Sequence, residues 1–128
     1  MLPGFFKKLN CYLFVKGRGI MSKGKLPQQY LRIKEKHEKY FNAVEELGKV
    51  VKQEGPLDEK TAHLIQLAAA VTAHSEGAVH SHVRRALEIG VTPEAIHHAI
   101  LLLTSTVGFP TVVAALSWAE DIINNEKM

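Results

Sequence analysis

The sequence has almost no cysteine, since Cys11 is the only thiol among its 128 residues. A single thiol excludes a disulfide within the chain and a cysteine-rich zinc site. Chains with free cysteine and no disulfide are typical of reducing compartments. We therefore expect a cytoplasmic protein.

Long apolar runs are also missing. No stretch approaches the ~20 residues that a membrane-spanning helix needs. The apolar stretch 9–15 is short, contains Asn10, and is followed by Gly17-Arg18-Gly19, which is a poor cleavage region for a signal peptide. The sequence therefore predicts no membrane partner and no secretory leader.

Acidic residues are absent from the first 25 positions. Six basic residues give these 25 positions a charge of +6. The rest of the chain has 10 basic and 13 acidic residues and a charge of −3, so the net charge of +3 is positive only because of the N-terminal segment. We predict a flexible basic extension over 1–25 and one folded domain over 26–128, without the clustered Lys and Arg that nucleic acid requires. Met21 resembles a natural start, so we expect residues 1–20 to be dispensable. A basic anchor at a membrane surface is the alternative.

The apolar residues of the predicted domain recur with a helical period, and no strand pattern is present. Asp58 and Thr92 are placed to cap helices, and Gly90 is placed to end one in the left-handed conformation. Gly55-Pro56 and Gly108-Phe109-Pro110 predict further breaks. These signals predict an all-α, single-domain bundle of about five to six helices, with the main helices over 27–53, 61–74, 76–89, 93–103 and 111–124.

The second predicted helix, 61–74, is apolar on nearly all sides. A helix of this kind is buried on most of its surface. A chain of this length has few surfaces that could cover it, so we expect a homo-oligomer, either a trimer or a hexamer.

Three motifs resemble those of one known family. Gly55-Pro56-Leu57-Asp58-Glu59-Lys60-Thr61 is similar to the helix-entry motif of carboxymuconolactone decarboxylase-like proteins. Residues 82–94, which begin at His82 and continue through Ala86-Leu87 to Gly90-Val91-Thr92, resemble the central motif of that family. Gly108-Phe109-Pro110 resembles its later Gly-x-Pro. The family includes the alkylhydroperoxidase D-like proteins, and the resemblance implies their helical fold and their trimers or hexamers.

The resemblance also shows which family groups are missing. The peroxidase branch has a Glu, a Cys-x-x-Cys and a His, with three residues between the second Cys and the His. When His82 is taken as that His, the cysteines fall at Ser75 and Ala78, and the Glu falls at His63. A thiol peroxidase needs a thiolate and a second, resolving thiol. We therefore expect no family-type peroxidase activity.

The decarboxylase branch differs from this sequence at three site positions. This chain has Ala78 where that branch has a Glu, Thr106 where it has a Tyr, and Val113 where it has an Asn. The loss of polar groups favours the alternative of a ligand-binding or assembly protein without the family chemistry. The first hypothesis remains an acid–base enzyme of the decarboxylation type.

The candidate site comprises the polar residues that remain near the family's pocket. The resemblance implies His82 as the catalytic acid–base group, and it implies His63, at the position of the family's Glu, as a second catalytic candidate. Arg85 lies three residues from His82, so that it could bind a small carboxylate substrate, and Ser75 and Glu76 are further candidate substrate-binding residues. Their alternatives are a buried structural histidine for His82 and a salt bridge for Arg85.

No cofactor and no metal are expected. Loss of CO2 from a suitable carboxylate needs only a proton donor and a group that stabilises the developing negative charge. No His-x-x-x-His pair occurs within a predicted helix. Glu76, His80 and Arg84 recur at steps of four, which indicates a solvated ladder of charges on one helix face.

Overall fold

The computed structural model describes residues 28–126, and every regular element in that range is a helix. The predicted all-α class is therefore confirmed. The chain divides into two units, one ending at Gly55 and one beginning at Pro56. Our predictions for residues 1–25 and for Cys11 fall outside the described residues.

The described part of the first unit contains two helices, α1 (Gln28–Lys36) and α2 (Glu38–Gln53). The prediction of one helix over 27–53 is wrong, because the backbone leaves the helical region at His37, with φ −132° and ψ 53°. The rings of Tyr30 and Phe41 meet edge to face with centroids 5.0 Å apart. Residues eleven positions apart on a straight helix would be separated by about 16 Å, so the chain bends sharply between them.

The second unit begins with an antiparallel pair of helices. Helix α3 (Glu59–Thr72) is capped by Asp58, whose carboxylate accepts a hydrogen bond of 2.7 Å from the Thr61 N–H. That bond holds the pKa of Asp58 below its ordinary value. Helix α4 (Glu76–Glu88) follows after only three residues, so it must run back alongside α3.

The turn between α3 and α4 and the turn after α4 close in the same way. Ser75 N–H donates to the Ala70 carbonyl and His74 N–H to that of Val71, which is the Schellman pattern. His74 occupies the left-handed position with φ +53°, where glycine is usual. Gly90 occupies the equivalent position after α4 with φ +89°, as predicted.

Three more helices complete the unit, namely α5 (Pro93–Leu101), α6 (Thr104–Val107) and α7 (Phe109–Glu126). Thr92 caps α5 as predicted, with its Oγ1 accepting from the Ala95 N–H at 3.1 Å. Helix α5 ends two residues earlier than predicted, and the short α6 was not predicted. Gly108, with φ +91°, separates α6 from α7. Phe109 and Pro110 were predicted to belong to this break, but they lie in the first turn of α7, where proline is tolerated.

The core of the second unit lies where α4 packs on α3 and α7. Helix α7 contributes Val112, Ala115, Ala119, Ile122 and Ile123, which are all buried, whereas Leu116 is half-buried. Helix α3 contributes Leu67, Ala70 and Val71, yet Ile65 on another side remains 52% exposed. Among the described residues, no helix combines the length and the apolar character required to cross a membrane.

Candidate functional site

His63 and His82 approach each other between α3 and α4, with their ring centroids 6.1 Å apart and their planes inclined at 52°. Among the residues that the structure describes, His63 is the one buried polar residue, with 3% of its surface exposed. His82 is half-buried. The Nδ1 atoms of both rings are shielded from solvent. His63 is therefore largely shielded from water, whereas His82 stays partly open to it, and an imidazole shielded from water interacts more strongly with neighbouring charges.

The helical period explains why the two histidines meet. His63 precedes Leu67, Ala70 and Val71 by four, seven and eight residues, so it shares their inward face of α3. His82 lies beside Val83 and three residues after Val79, both fully buried, which places it at the edge of the inward face of α4. The short α3–α4 turn then aligns these two faces.

Ser75 has a structural task at the start of α4. Its Oγ accepts a hydrogen bond of 3.3 Å from the Ala78 N–H and so caps the helix. A hydroxyl group can still donate its own hydrogen to another group. Ser75 is half-buried and lies on the same side of α4 as Ala78 and His82.

Arg85 is half-buried on α4, three residues after His82. Burial raises the pKa of the neighbouring Glu88 carboxyl, while the charges of Arg84 and Arg85 act in the opposite direction. Arg85 is therefore close enough to Glu88 for their charges to interact. The alternative of a salt bridge for Arg85 stays a prediction.

Glu76 belongs to a different group of side chains. Its Oε1 lies 3.9 Å from His80 Nε2, one turn along α4, and Asp121 Oδ2 on α7 lies 3.3 Å from the same nitrogen. The predicted pairing of Glu76 with His80 is present, but the sequence period could not indicate Asp121, which lies on another helix. Glu76 and His82 are six residues apart and point to sides of α4 that differ by about 120°.

The family model for the carboxymuconolactone decarboxylase family matches residues 38–121 of the sequence. The chain belongs to this family. The match extends across the second unit from its beginning to Asp121, and it includes both histidines of the pair.

A solved structure of the family has the same fold. It is an apo carboxymuconolactone decarboxylase family protein from Legionella pneumophila, with a TM-score of 0.68 and 20% sequence identity over 87% of this chain and 97% of that one. At this identity the likeness establishes the fold alone. No curated protein matches the chain.

The resemblance to the family's peroxidases predicts that their pair of thiols corresponds to the start of α4. Ser75 is the cap residue and Ala78 lies three positions later in the first turn, where the positive end of the helix dipole would stabilise a thiolate. The side chains here are a hydroxymethyl group and a methyl group, which cannot form the sulfenic acid and disulfide of the family's peroxidases. The other two substituted positions, Thr106 and Val113, are both exposed.

Proposed function

We propose that the protein catalyses cofactor-free acid–base chemistry of the decarboxylation type on a small carboxylate substrate. The observation that carries the proposal is the 6.1 Å approach of His63 and His82 in a sheltered position. Imidazole is the side chain that exchanges protons most readily near neutral pH. Membership of the family supports this reaction type.

The reaction requires one bond to break and one proton to move. In a β-keto acid or a vinylogous acid, the bond between the carboxyl carbon and its neighbour breaks, CO2 leaves, and the electron pair passes to the carbonyl oxygen as an enolate. His82 in its protonated form donates a proton to the enolate carbon and becomes neutral. Solvent then returns a proton to the ring before the next turnover.

The other residues assist this transfer. His63 faces His82 and fixes the orientation of its ring, as a partner group does in other histidine-dependent sites. Arg85 presents a guanidinium one turn from His82, which suits bidentate binding of a second carboxylate on the substrate. The Ser75 hydroxyl can donate a hydrogen bond on the same side of α4.

Release of CO2 from carboxymuconolactone, and from oxaloacetate as a simple β-keto acid, tests the proposal. EDTA is included because divalent ions themselves polarise β-keto acids. We expect turnover that falls about 100-fold or more in His82→Gln, in line with the loss of a general acid. His98→Gln is the matched control, since His98 is an exposed histidine on α5, and it should retain the wild-type rate.

Two outcomes would contradict the proposal. Turnover that is equal in the wild type and in His82→Gln would remove the assigned proton donor. Protection of the protein from heat by either compound, without CO2 release, would instead indicate a ligand-binding protein that has lost the chemistry.

A further inference from the structure

Three side chains with metal-binding atoms converge on the outer surface where α4 meets α7. They are Glu76 and His80 of α4 and Asp121 of α7, and their ligand atoms all lie within 4.8 Å of one another. His80 is 26% exposed, whereas the two carboxylates are more than half exposed. This group is distinct from the His63–His82 pair.

We propose that Glu76, His80 and Asp121 bind a divalent transition-metal ion of the zinc type. One imidazole and two carboxylates suit Zn²⁺, Co²⁺ or Ni²⁺, whereas Mg²⁺ and Ca²⁺ prefer a shell made only of oxygen. Two carboxylates and a neutral imidazole balance the charge of the ion. Three protein ligands leave a position for water, as in zinc sites that are open to solvent.

The distances fit such an ion. Bonds of about 2.0–2.2 Å in a tetrahedral site hold neighbouring ligand atoms about 3.3–3.6 Å apart. His80 Nε2 lies 3.3 Å from Asp121 Oδ2 and 3.9 Å from Glu76 Oε1. Only small rotations of the exposed carboxylates are needed to complete the site.

The backbone that carries His80 and Asp121 is positioned by neighbouring residues that are buried in the core. Val79 precedes His80 and is fully buried, and Ile122 follows Asp121 and is 6% exposed. Both residues belong to the core through which α4 packs on α7. A site whose backbone is already positioned loses less conformational entropy when it takes up a ligand.

The position of His80 Nε2 favours a bound cation, rather than hydrogen bonding alone, as the reason why the three side chains converge. His80 Nε2 faces both carboxylates, but a ring nitrogen carries at most one proton and donates to one acceptor well. An ion at this point would be bound by the lone pair of the nitrogen and by both carboxylates at once. The competing explanation is a protonated His80 that forms two surface ion pairs without any metal.

Titration of the full chain with Zn²⁺ by calorimetry at pH 7.5 distinguishes these explanations. We expect one ion per chain, and binding at least about tenfold weaker in His80→Gln and in Asp121→Asn. His98→Gln is the control with an exposed histidine outside the group, and it should bind as the wild type does. Circular dichroism of each variant establishes that the fold is retained.

A second arm separates this site from the paired histidines. His63→Gln should leave zinc binding unchanged, and Co²⁺ should give the visible absorption bands of a low-coordinate site that disappear in His80→Gln. The inference is overturned if the wild type binds no zinc, or if binding persists in His80→Gln and Asp121→Asn. It is also overturned if binding is lost in His63→Gln while the fold is intact.

Discussion

The backbone N–H of Ala78 donates a hydrogen bond to the Ser75 Oγ, 3.3 Å away, across the first turn of α4. The family resemblance anchored on His82 predicts that the family's peroxidases carry their cysteines at these two positions. Their separation by three positions is the spacing of a Cys-x-x-Cys pair. If this alignment is right, the first turn of α4 corresponds to the position of that site, with a hydroxyl and a methyl group in place of the thiols.

The first prediction follows from this contact. Ser75→Cys combined with Ala78→Cys, in a Cys11→Ser background, should form an intramolecular disulfide under mild oxidant. Thiol titration should find two free thiols before oxidation and none after it. Ser75→Cys alone in the same background is the control and should keep its thiol. If the double variant forms no disulfide, the alignment of Ser75 and Ala78 with the family's cysteines is wrong.

Short-range signals predicted much of the fold. Asp58, Thr92 and Gly90 act where the sequence indicated, because caps and left-handed terminators depend on a few neighbouring residues. The break at His37 was missed because the apolar period continues through it without a glycine or proline. Nothing local indicates the bend that the contact between Tyr30 and Phe41 reveals.

Less of the candidate site than of the fold could be predicted from the sequence. The period of each helix shows which face is apolar, but it cannot show which residues of two helices meet. His63 and His82 were linked only by the family resemblance, and their approach is a property of the α3–α4 packing. Asp121 lies 41 residues from His80 and carries no motif, so their contact required the structure.

A second prediction concerns the two sides of α3. Leu67 is fully buried, so Leu67→Ala should lower the free energy of unfolding by about 2–5 kcal/mol in denaturant titrations. Ile65 is the position chosen for comparison with Leu67, because it lies on another side of α3 and its surface is 52% exposed in the single chain. If α3 lies in a subunit interface, Ile65→Lys should reduce the trimer or hexamer to a smaller species in light scattering. A wild-type protein that is monomeric at micromolar concentration would contradict the assembly.

The left-handed His74 gives a third prediction. A residue with a Cβ atom is disfavoured at φ +53°, whereas Gly90 holds the equivalent position after α4 without that strain. His74→Gly should therefore raise the free energy of unfolding by about 0.5–1 kcal/mol. His98→Gly, within α5, should lower it by a similar amount. A loss of stability in His74→Gly would show that the imidazole makes a contact worth more than the strain.

A fourth prediction concerns pH. Burial raises the pKa of Glu88 and of Glu126 in the folded protein, and the charge of Arg84 only partly offsets this. A carboxyl group with a raised folded pKa costs stability above that pKa, and the cost disappears below the ordinary value near 4.5. Glu88→Gln should therefore stabilise the protein at pH 7 in thermal unfolding, and the gain should fade as the pH approaches 4. The side chain of Glu88 is exposed, so the gain should be small, and Glu35→Gln, at another exposed position on α1, should show none.

The proposed reaction requires His63 and His82 to act as one unit in proton transfer. A double-mutant cycle on kcat/KM for CO2 release, with His63→Gln, His82→Gln and the combined variant, tests it most directly. We expect the combined variant to be no slower than His82→Gln alone, because His63 is proposed to act only through the ring of His82. Losses that multiply in the combined variant, or a His82→Gln protein with the wild-type rate, would contradict it.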